Sequence, residues 1–410
     1  MPYDLVIRRA QLRGRATLAD IAIAGPRIAA VAGRIEAPGR QEIDAAGRLV
    51  TEPFVDCHFH IDKAFTGTLV GRFAYPLRDP DGIAPGADPV AQHRALKPGY
   101  TVDGVAARIE RALALALGHG TLAVRMFVDV DPIQRLVALR AALRARDRYG
   151  DRMTLQICAF PQEGGMRDAA TVALMEEALA LGADVVGGIP WIEPDADAAQ
   201  EHIARCFALA VRADRDVHLL CDDLPDPRSR TLEMAAAAAI RHGYHGRLAC
   251  SHAGALRSYA EDHARAVIDL VRTAGAHIVV IPTLNLLGTL TRVEALLAAG
   301  VTVCCGQDDL DNFFYPLGRA DMLEAAAFLV HAARLTTPQG LETAFDCVTR
   351  HGARALRLAD YGLHAGARAD LVVFEARTVH EALQMQAPRA YVIARGRVVA
   401  TTVCQTTIVG

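Results

Sequence analysis

The middle of the chain switches between two hydrophobic periods, and that alternation restricts the folds open to it. Eight apolar runs read as buried strands: EPFVDCHFH, TLAVRMFVDV, MTLQICAFPQ, ADVVGGIP, RDVHLLCDD, GRLACSHAG, HIVVIPTLN and VTVCCGQDD. Helical stretches such as VDGVAARIERALALALGHG, TVALMEEALALGA, EHIARCFALAVRAD and HARAVIDLVRTAG lie between them, with Leu, Ala and Val at three- and four-residue spacing. Several stop at Gly, as helix C-termini commonly do. Strands alternating with helices in this number predict an α/β chain built as a (β/α)8 TIM-type barrel. An open doubly wound sheet would need a glycine-rich phosphate loop after the first strand, and none follows it. The two ends have a different texture, with short β-rich segments such as YDLVIRRAQL, DIAIAGPRIAAVAG, ADLVVFEA and AYVIARGRVVATT joined by Gly and Pro turns. Residues 1–52 and 363–410 are therefore expected to pair in one small β-sandwich, and 53–362 to form the barrel.

Composition narrows the class of partner. A chain of 410 residues, 52% hydrophobic and 22% charged, has the make-up of a soluble globular enzyme with a large core. A net charge of −3 offers no basic footprint for nucleic acid. The start, MPYDLVIRRAQLRGR, carries charges where a signal peptide needs its apolar centre. No apolar run approaches the roughly 18–20 residues of a membrane span, so no membrane partner is expected. The nine cysteines form no CxxC pair and read as buried small hydrophobes in a reducing compartment. These features together predict a cytoplasmic protein.

In a barrel of this type the chemistry sits at the C-terminal ends of the strands, and polar residues collect there. His58 and His60 end the first strand, Gln162 and Glu163 the third, and Asp222 and Asp223 the fifth. His252 closes the sixth, and Asp308 and Asp309 the eighth. Side chains alternate along a strand, so His58 and His60 point the same way, into the barrel mouth. That pair can bind one divalent metal, with Asp308 reaching across from strand eight to complete the face. A lone inward histidine is more often a hydrogen-bonded core residue, and that reading stays open for His252 beside a catalytic one. Lys63 reads equally as a binder of an anionic group or as a surface cation beyond the strand. His218 and the remaining histidines read as core or solvent residues, and alternation turns Cys221 away from the side that Leu220 faces.

The segments LQICAFPQEG, EEALALGADVVGGIP, CDDLPDPRSRTLE, CSHAGALRSY, GQDDLDNFFYPLGRADML and YGLHAGARADLVV occur in an order that resembles the amidohydrolase superfamily, and within it the cytosine deaminase branch. The resemblance covers nearly the whole chain and implies a barrel carrying a small β-sandwich from both termini. It also implies one divalent ion, zinc or iron with manganese as a further fit, held by the HxH pair, a strand-five histidine and the strand-eight aspartate. Such an ion lowers the pKa of a bound water, and the resulting hydroxide attacks an amidine- or amide-like ring carbon. Laid on this chain, the resemblance makes Asp308 and His252 the groups that orient that water and take its proton. It makes Gln162 the reader of the heterocycle's edge, with Asp309 and Phe314 completing the pocket. A small-molecule heterocyclic substrate is the partner implied, and the family analogy extends to a homo-oligomer.

Two strands depart from the family's pattern. Strand five should carry a histidine followed three residues later by glutamate, and a gap-free reading puts Leu220 and Asp223 at those positions. His218 lies two residues earlier, on the same face but roughly 6–7 Å further down the strand. In strand two, RMFVDV places Phe127 where the family has histidine. His58, His60 and Asp308 still make the three protein ligands of a catalytic site, and Asp223 becomes the proton donor with a reach shortened by one methylene. Phe127, Leu220, Trp191 and Phe314 then form an apolar patch suited to a less polar ring or substituent. The leading expectation is a metal-dependent hydrolase that cleaves a C–N bond in a small cyclic nitrogen heterocycle other than cytosine. The alternative is a metal-poor relative that binds such a heterocycle without hydrolysing it, or that has non-hydrolytic activity.

Overall fold

The computed structural model describes residues 3–67, 78–79, 82–83, 89–163, 165–283 and 290–409. The eight expected barrel strands all form: Phe54–Phe59, Thr121–Asp129, Thr154–Phe160, Val185–Gly188, Asp216–Cys221, Leu248–His252, His277–Val280 and Val303–Cys305. Each pairs in parallel with its neighbour in chain order. Strand eight returns to strand one through a parallel bridge between Phe59 and Asp308. There the Asp308 amide donates to the His58 carbonyl at 2.8 Å, and the His60 amide donates to the Asp308 carbonyl at 2.7 Å. The ring is closed by the residues that carry the candidate ligands.

The helices between the strands follow from the apolar stripes read above. Thr101, Asp168 and Asp195 cap the helices Val102–Gly118, Ala169–Leu181 and Ala196–Ala213 by accepting from orphan backbone amides of the first turn. On strand five, Val217, Leu219 and Cys221 pack outward into the core shared with the helices, and Leu220 belongs to a separate inward cluster. Strand seven is shorter than the expected HIVVIPTLN, ending at Val280, and residues 284–285 of that run lie outside the described residues. Strand three ends at Phe160, so Gln162 and Glu163 sit in the turn beyond it.

Both chain ends enter a second sheet. Tyr3–Leu12, Ala19–Ala24, Arg27–Ala32, Gly39–Asp44 and Leu49–Thr51 join Leu371–Phe374, Arg389–Ala394 and Arg397–Thr401. Leu49–Thr51 is the seam, pairing in parallel with Tyr3–Leu12 and antiparallel with Leu371–Phe374. One apolar core, including Leu5, Ile21, Ile43, Leu371, Val373 and Ile393, draws on both ends. All nine cysteines are free, and eight are buried. No helix among the described residues is long and apolar enough to cross a membrane.

Gly306 is what lets strand eight lie against strand one. A Cβ there would stand 2.6 Å from the His58 Cβ and 2.7 Å from its carbonyl oxygen, closer than atoms pack. Gly306→Ala is therefore expected to destabilise the fold by about 1–3 kcal/mol through overpacking. A denaturant titration beside the wild type checks this, and an unchanged midpoint would mean that the two strands separate at no cost.

Candidate active site

Strand one ends with two imidazoles turned toward the same carboxylate. His58 Nε2 lies 3.0 Å and His60 Nε2 3.5 Å from Asp308 Oδ1, and the two Nε2 atoms are 3.2 Å apart. All three side chains are buried. Burial pushes the His58 pKa down, and Asp308 only partly offsets it. Burial, followed by the positive charge of Lys63, holds His60 well below the ordinary histidine range. Both rings are thus neutral, the form that binds metal. Burial alone would raise the Asp308 pKa, but the hydrogen bond from His58, the neighbouring imidazoles and the Lys63 charge bring it below the usual value. Asp308 is ionised. Next to it, burial and the Asp308 charge push Asp309 well above its usual value. Asp309 accepts from Asn312 Nδ2 at 2.6 Å.

His252 reaches the same cluster by a departure from strand alternation. Ser251 faces the barrel interior, where its Oγ lies 2.9 Å from His58 Nδ1 and 2.7 Å from His218 Nε2. Alternation should then turn His252 outward. Instead His252 has φ 69° and Ala253 φ 53°, left-handed conformations uncommon for residues with a Cβ. The chain swings round, and ligand atoms of His58, His252 and Asp308 all lie within 4.8 Å of one another. Asp308 also has a positive φ, 64°. Backbone strain of this kind gathers where side-chain placement matters more than local comfort. Behind His252, its Nδ1 lies 3.1 Å from Asp223 Oδ1.

The donor set suits a divalent ion. It holds the neutral imidazoles of His58 and His60 and one carboxylate, 3.0–3.5 Å apart, separations that ligands about 2.0–2.2 Å from a common centre can show, with His252 at the edge of the same group. Ser251 is the partner for the far nitrogen of His58. A serine hydroxyl can accept from His58 Nδ1–H when Nε2 gives its lone pair to metal, or donate when Nε2 is protonated. Ser251→Ala is expected to lower metal affinity by about 10–100-fold, the range for loss of such an orienting partner. Chelator competition measures it, and an unaltered constant would remove Ser251 from that role.

Other expected residues take varied positions. Lys63 is not a surface cation: it is buried, with Nζ 3.0 Å from His60 Nδ1, 2.8 Å from Gln162 Oε1 and 2.9 Å from Asp129 Oδ1. Burial works against its charge, but Asp129, Asp62 and Asp309 outweigh burial and keep it cationic. Gln162 is therefore close to the HxH pair, held through its carbonyl oxygen. Glu163 instead pairs with Arg94 and with Lys97, whose Nζ is 2.8 Å away. Asp222 turns away from the mouth, where its carboxylate accepts from the Thr231 and Leu232 amides at the start of helix Thr231–Arg241. His218 is a core residue, as one of its readings had it, with Nδ1 accepting from Arg125 at 3.2 Å.

Three of the four residues of the expected apolar patch, Phe127, Leu220 and Trp191, pack together. Phe127, Phe160, Ile189 and Leu220 form one buried cluster with Trp191 packed on it. The Phe127 ring lies 4.0 Å from that of His58, and the Phe160 ring 5.1 Å from that of His60. Phe314 lies outside that cluster, its ring 5.9 Å from Lys63 Nζ. Phe160, Ser251, Asp129 and Lys97 went unnoticed in the sequence. Phe160, Asp129 and Ser251 lie at or next to strand ends, which is the signal that was available.

Comparison with known proteins agrees with this geometry. A family model described as the amidohydrolase family matches residues 82–400. N-isopropylammelide isopropyl amidohydrolase of Pseudomonas sp. (strain ADP) is 31% identical over 408 residues, covering 97% of each chain. Pterin deaminase of Rhizobium rhizogenes is 30% identical over 396 residues, 93% of this chain and 87% of that one. Among solved structures, 5-methylcytosine deaminase from Klebsiella pneumoniae superposes with a TM-score of 0.91 at 30% identity, covering 98% of this chain and 99% of that chain. N-isopropylammelide isopropylaminohydrolase from Burkholderia multivorans gives 0.86 at 29%, covering 97% and 98%. With matches of this extent on top of a closed barrel and a His–His–Asp cluster at its mouth, the chain belongs to the amidohydrolase family.

Proposed function

We propose that the protein hydrolyses an exocyclic C–N bond of a small nitrogen heterocycle, and that its preferred substrate carries an apolar N-substituent. The observation that carries this reading is the contact between ligand cluster and apolar wall: His58 and His60 pack directly on Phe127 and Phe160, beside Leu220 and Trp191. Relatives of this chain include enzymes named for N-isopropylammelide, pterin and 5-methylcytosine, which span substituted and unsubstituted rings.

In this reading His58, His60 and Asp308 hold one zinc, iron or manganese ion, which when bound acidifies a water so that hydroxide is available at neutral pH. The Asp308 carboxylate, kept ionised among the imidazoles, accepts the proton that this water gives up. Asp223, half-buried at the end of strand five, is the carboxyl placed to return a proton to the leaving nitrogen. Gln162 has its carbonyl oxygen taken by Lys63, so its amide N–H donates to a ring carbonyl and orients the heterocycle. Asp309, its Oδ1 held by Asn312 Nδ2, is the polar group that completes the pocket around the ring. Leu220, Phe127, Trp191 and Phe314 exclude water from the attacked carbon and take up the substituent.

The test is purified protein reconstituted separately with zinc, iron and manganese and assayed on N-isopropylammelide, cytosine, 5-methylcytosine and pterin. Release of an alkylamine or ammonia in a metal-dependent manner, with the N-alkyl ring preferred, is the expected result. No metal retained and no substrate turned over in any reconstitution would end the proposal.

A further inference from the structure

Three imidazoles border Asp308, and they differ in what stands behind them. A metal-binding histidine ordinarily donates its far N–H to a carboxylate, a carbonyl or water, which fixes the ring and makes the ligating nitrogen more basic. His58 has the Ser251 hydroxyl behind it, able to accept that N–H. His60 has the Lys63 ammonium at 3.0 Å, a group with three donors and no acceptor. Ligation through His60 Nε2 therefore requires Lys63 to turn its hydrogens to Gln162 and Asp129. His252 has the Asp223 carboxylate at 3.1 Å from Nδ1, the arrangement a metal ligand calls for. One ring nitrogen of His252 lies within 4.8 Å of ligand atoms of both His58 and Asp308, and Nε2 is the one that Asp223 leaves free to ligate.

Strand five cannot supply a ligand from position 220, since Leu220 has none and sits in the apolar cluster. Position 220 pairs with Ser251, the residue just before His252, so the two ligand sources are neighbours across one hydrogen-bonded ladder. The left-handed backbone at His252 and Ala253 is what carries the imidazole across.

We infer that His252 is a protein ligand of the metal and replaces the missing strand-five histidine, with Asp223 as its positioning residue. The inference rests on the metal-dependent reading above. It assigns the ion His58, His60, His252 and Asp308, with no protein ligand from strand five. His252 is then bound through Nε2 and does not shuttle the proton from water; Asp308 takes that proton and returns it to the leaving nitrogen, because Asp223, occupied as acceptor of the His252 Nδ1–H, gives up the donor role it has in the reading above.

The experiment measures zinc affinity by chelator competition in the full chain and four variants: His58→Gln, His252→Gln, Asp223→Asn, and His252→Gln combined with Leu220→His. His252→Gln should lose affinity by more than about 100-fold, comparably to His58→Gln, because a ligand counts for more than its orienting partner. Asp223→Asn should lose about 10–100-fold. Leu220→His should recover most of the loss in the double variant, because it returns an imidazole to the adjacent strand. X-ray absorption of the zinc-loaded wild type should count three imidazoles, and this readout stands even if His252→Gln fails to fold. Wild-type affinity in His252→Gln alongside loss in His58→Gln, or a count of two imidazoles, would overturn the inference and leave the proposed hydrolase intact. A wild-type protein that takes up no metal would overturn both.

Discussion

Replacing His58 with glutamine is expected to abolish metal-dependent C–N hydrolysis, with kcat/KM falling by more than about 100-fold, beyond the range for orienting partners. Glutamine keeps most of the buried volume, and its amide is a poor ligand for a catalytic divalent ion. The imidazole also has two neighbours to satisfy, Asp308 at 3.0 Å and Ser251 at 2.9 Å, so its loss disturbs both the proposed ligand set and the carboxylate proposed to take the proton. Metal content, steady-state rates and a circular dichroism spectrum on one preparation separate loss of the ion from loss of the fold. A folded variant with full metal and wild-type turnover would show that the HxH pair is not the centre of the chemistry.

The largest effect on stability is expected at Asp129, at the end of strand two. Its carboxylate lies 2.9 Å from Lys63 Nζ through one oxygen and 2.9 Å from Lys97 Nζ through the other, and all three groups are buried. Asp129→Asn would leave two buried ammoniums short of their shared counter-charge, with Asp131 and Glu163 the ion pairs remaining on Lys97 among the described residues. Breaking a buried pair from one side costs about 3–5 kcal/mol. Burial alone would raise the Asp129 pKa, but the charges of Lys63 and Lys97 outweigh it and hold the carboxyl well below its usual range. A group depressed in this way contributes fully above its unfolded value of about 4 and loses the contribution as acid takes pH through the lower folded value. The gap between variant and wild type should thus be widest near neutral pH and narrow in acid. Urea titrations at several pH values measure it, and a gap independent of pH would mean that Asp129 acts through packing.

Much of the architecture was legible because it rests on periodicity. Apolar runs of strand length, separated by amphipathic stretches, specify which segments become strands and helices. Eight such strands between short connections leave few ways to bury all faces. HxH was legible for a related reason: residues two apart on a strand share a face, and His58 and His60 do converge on Asp308. The apolar replacement at 127 and 220 was also visible in the residues themselves, and the cluster around Phe127, Leu220 and Trp191 follows from strand neighbours facing one interior.

The rest depended on contacts between residues far apart in the chain. Lys63 reads by position as either an anion binder or a surface cation, yet it is buried because Asp129, 66 positions later, stands beside it with a charge that offsets desolvation. Asp222 and Asp223 look like a pair, but the first is drawn to helix amides and the second to His252. Alternation assigns Ser251 and His252 to opposite faces, and only the left-handed turn of the backbone brings both to the site. Local sequence thus determined the elements and the face of each strand, since those follow from side-chain period within a single segment. Tertiary structure alone decided which imidazole has an acceptor behind it and which has a cation, because that depends on which strand end, folded from a distant part of the chain, arrives next to it.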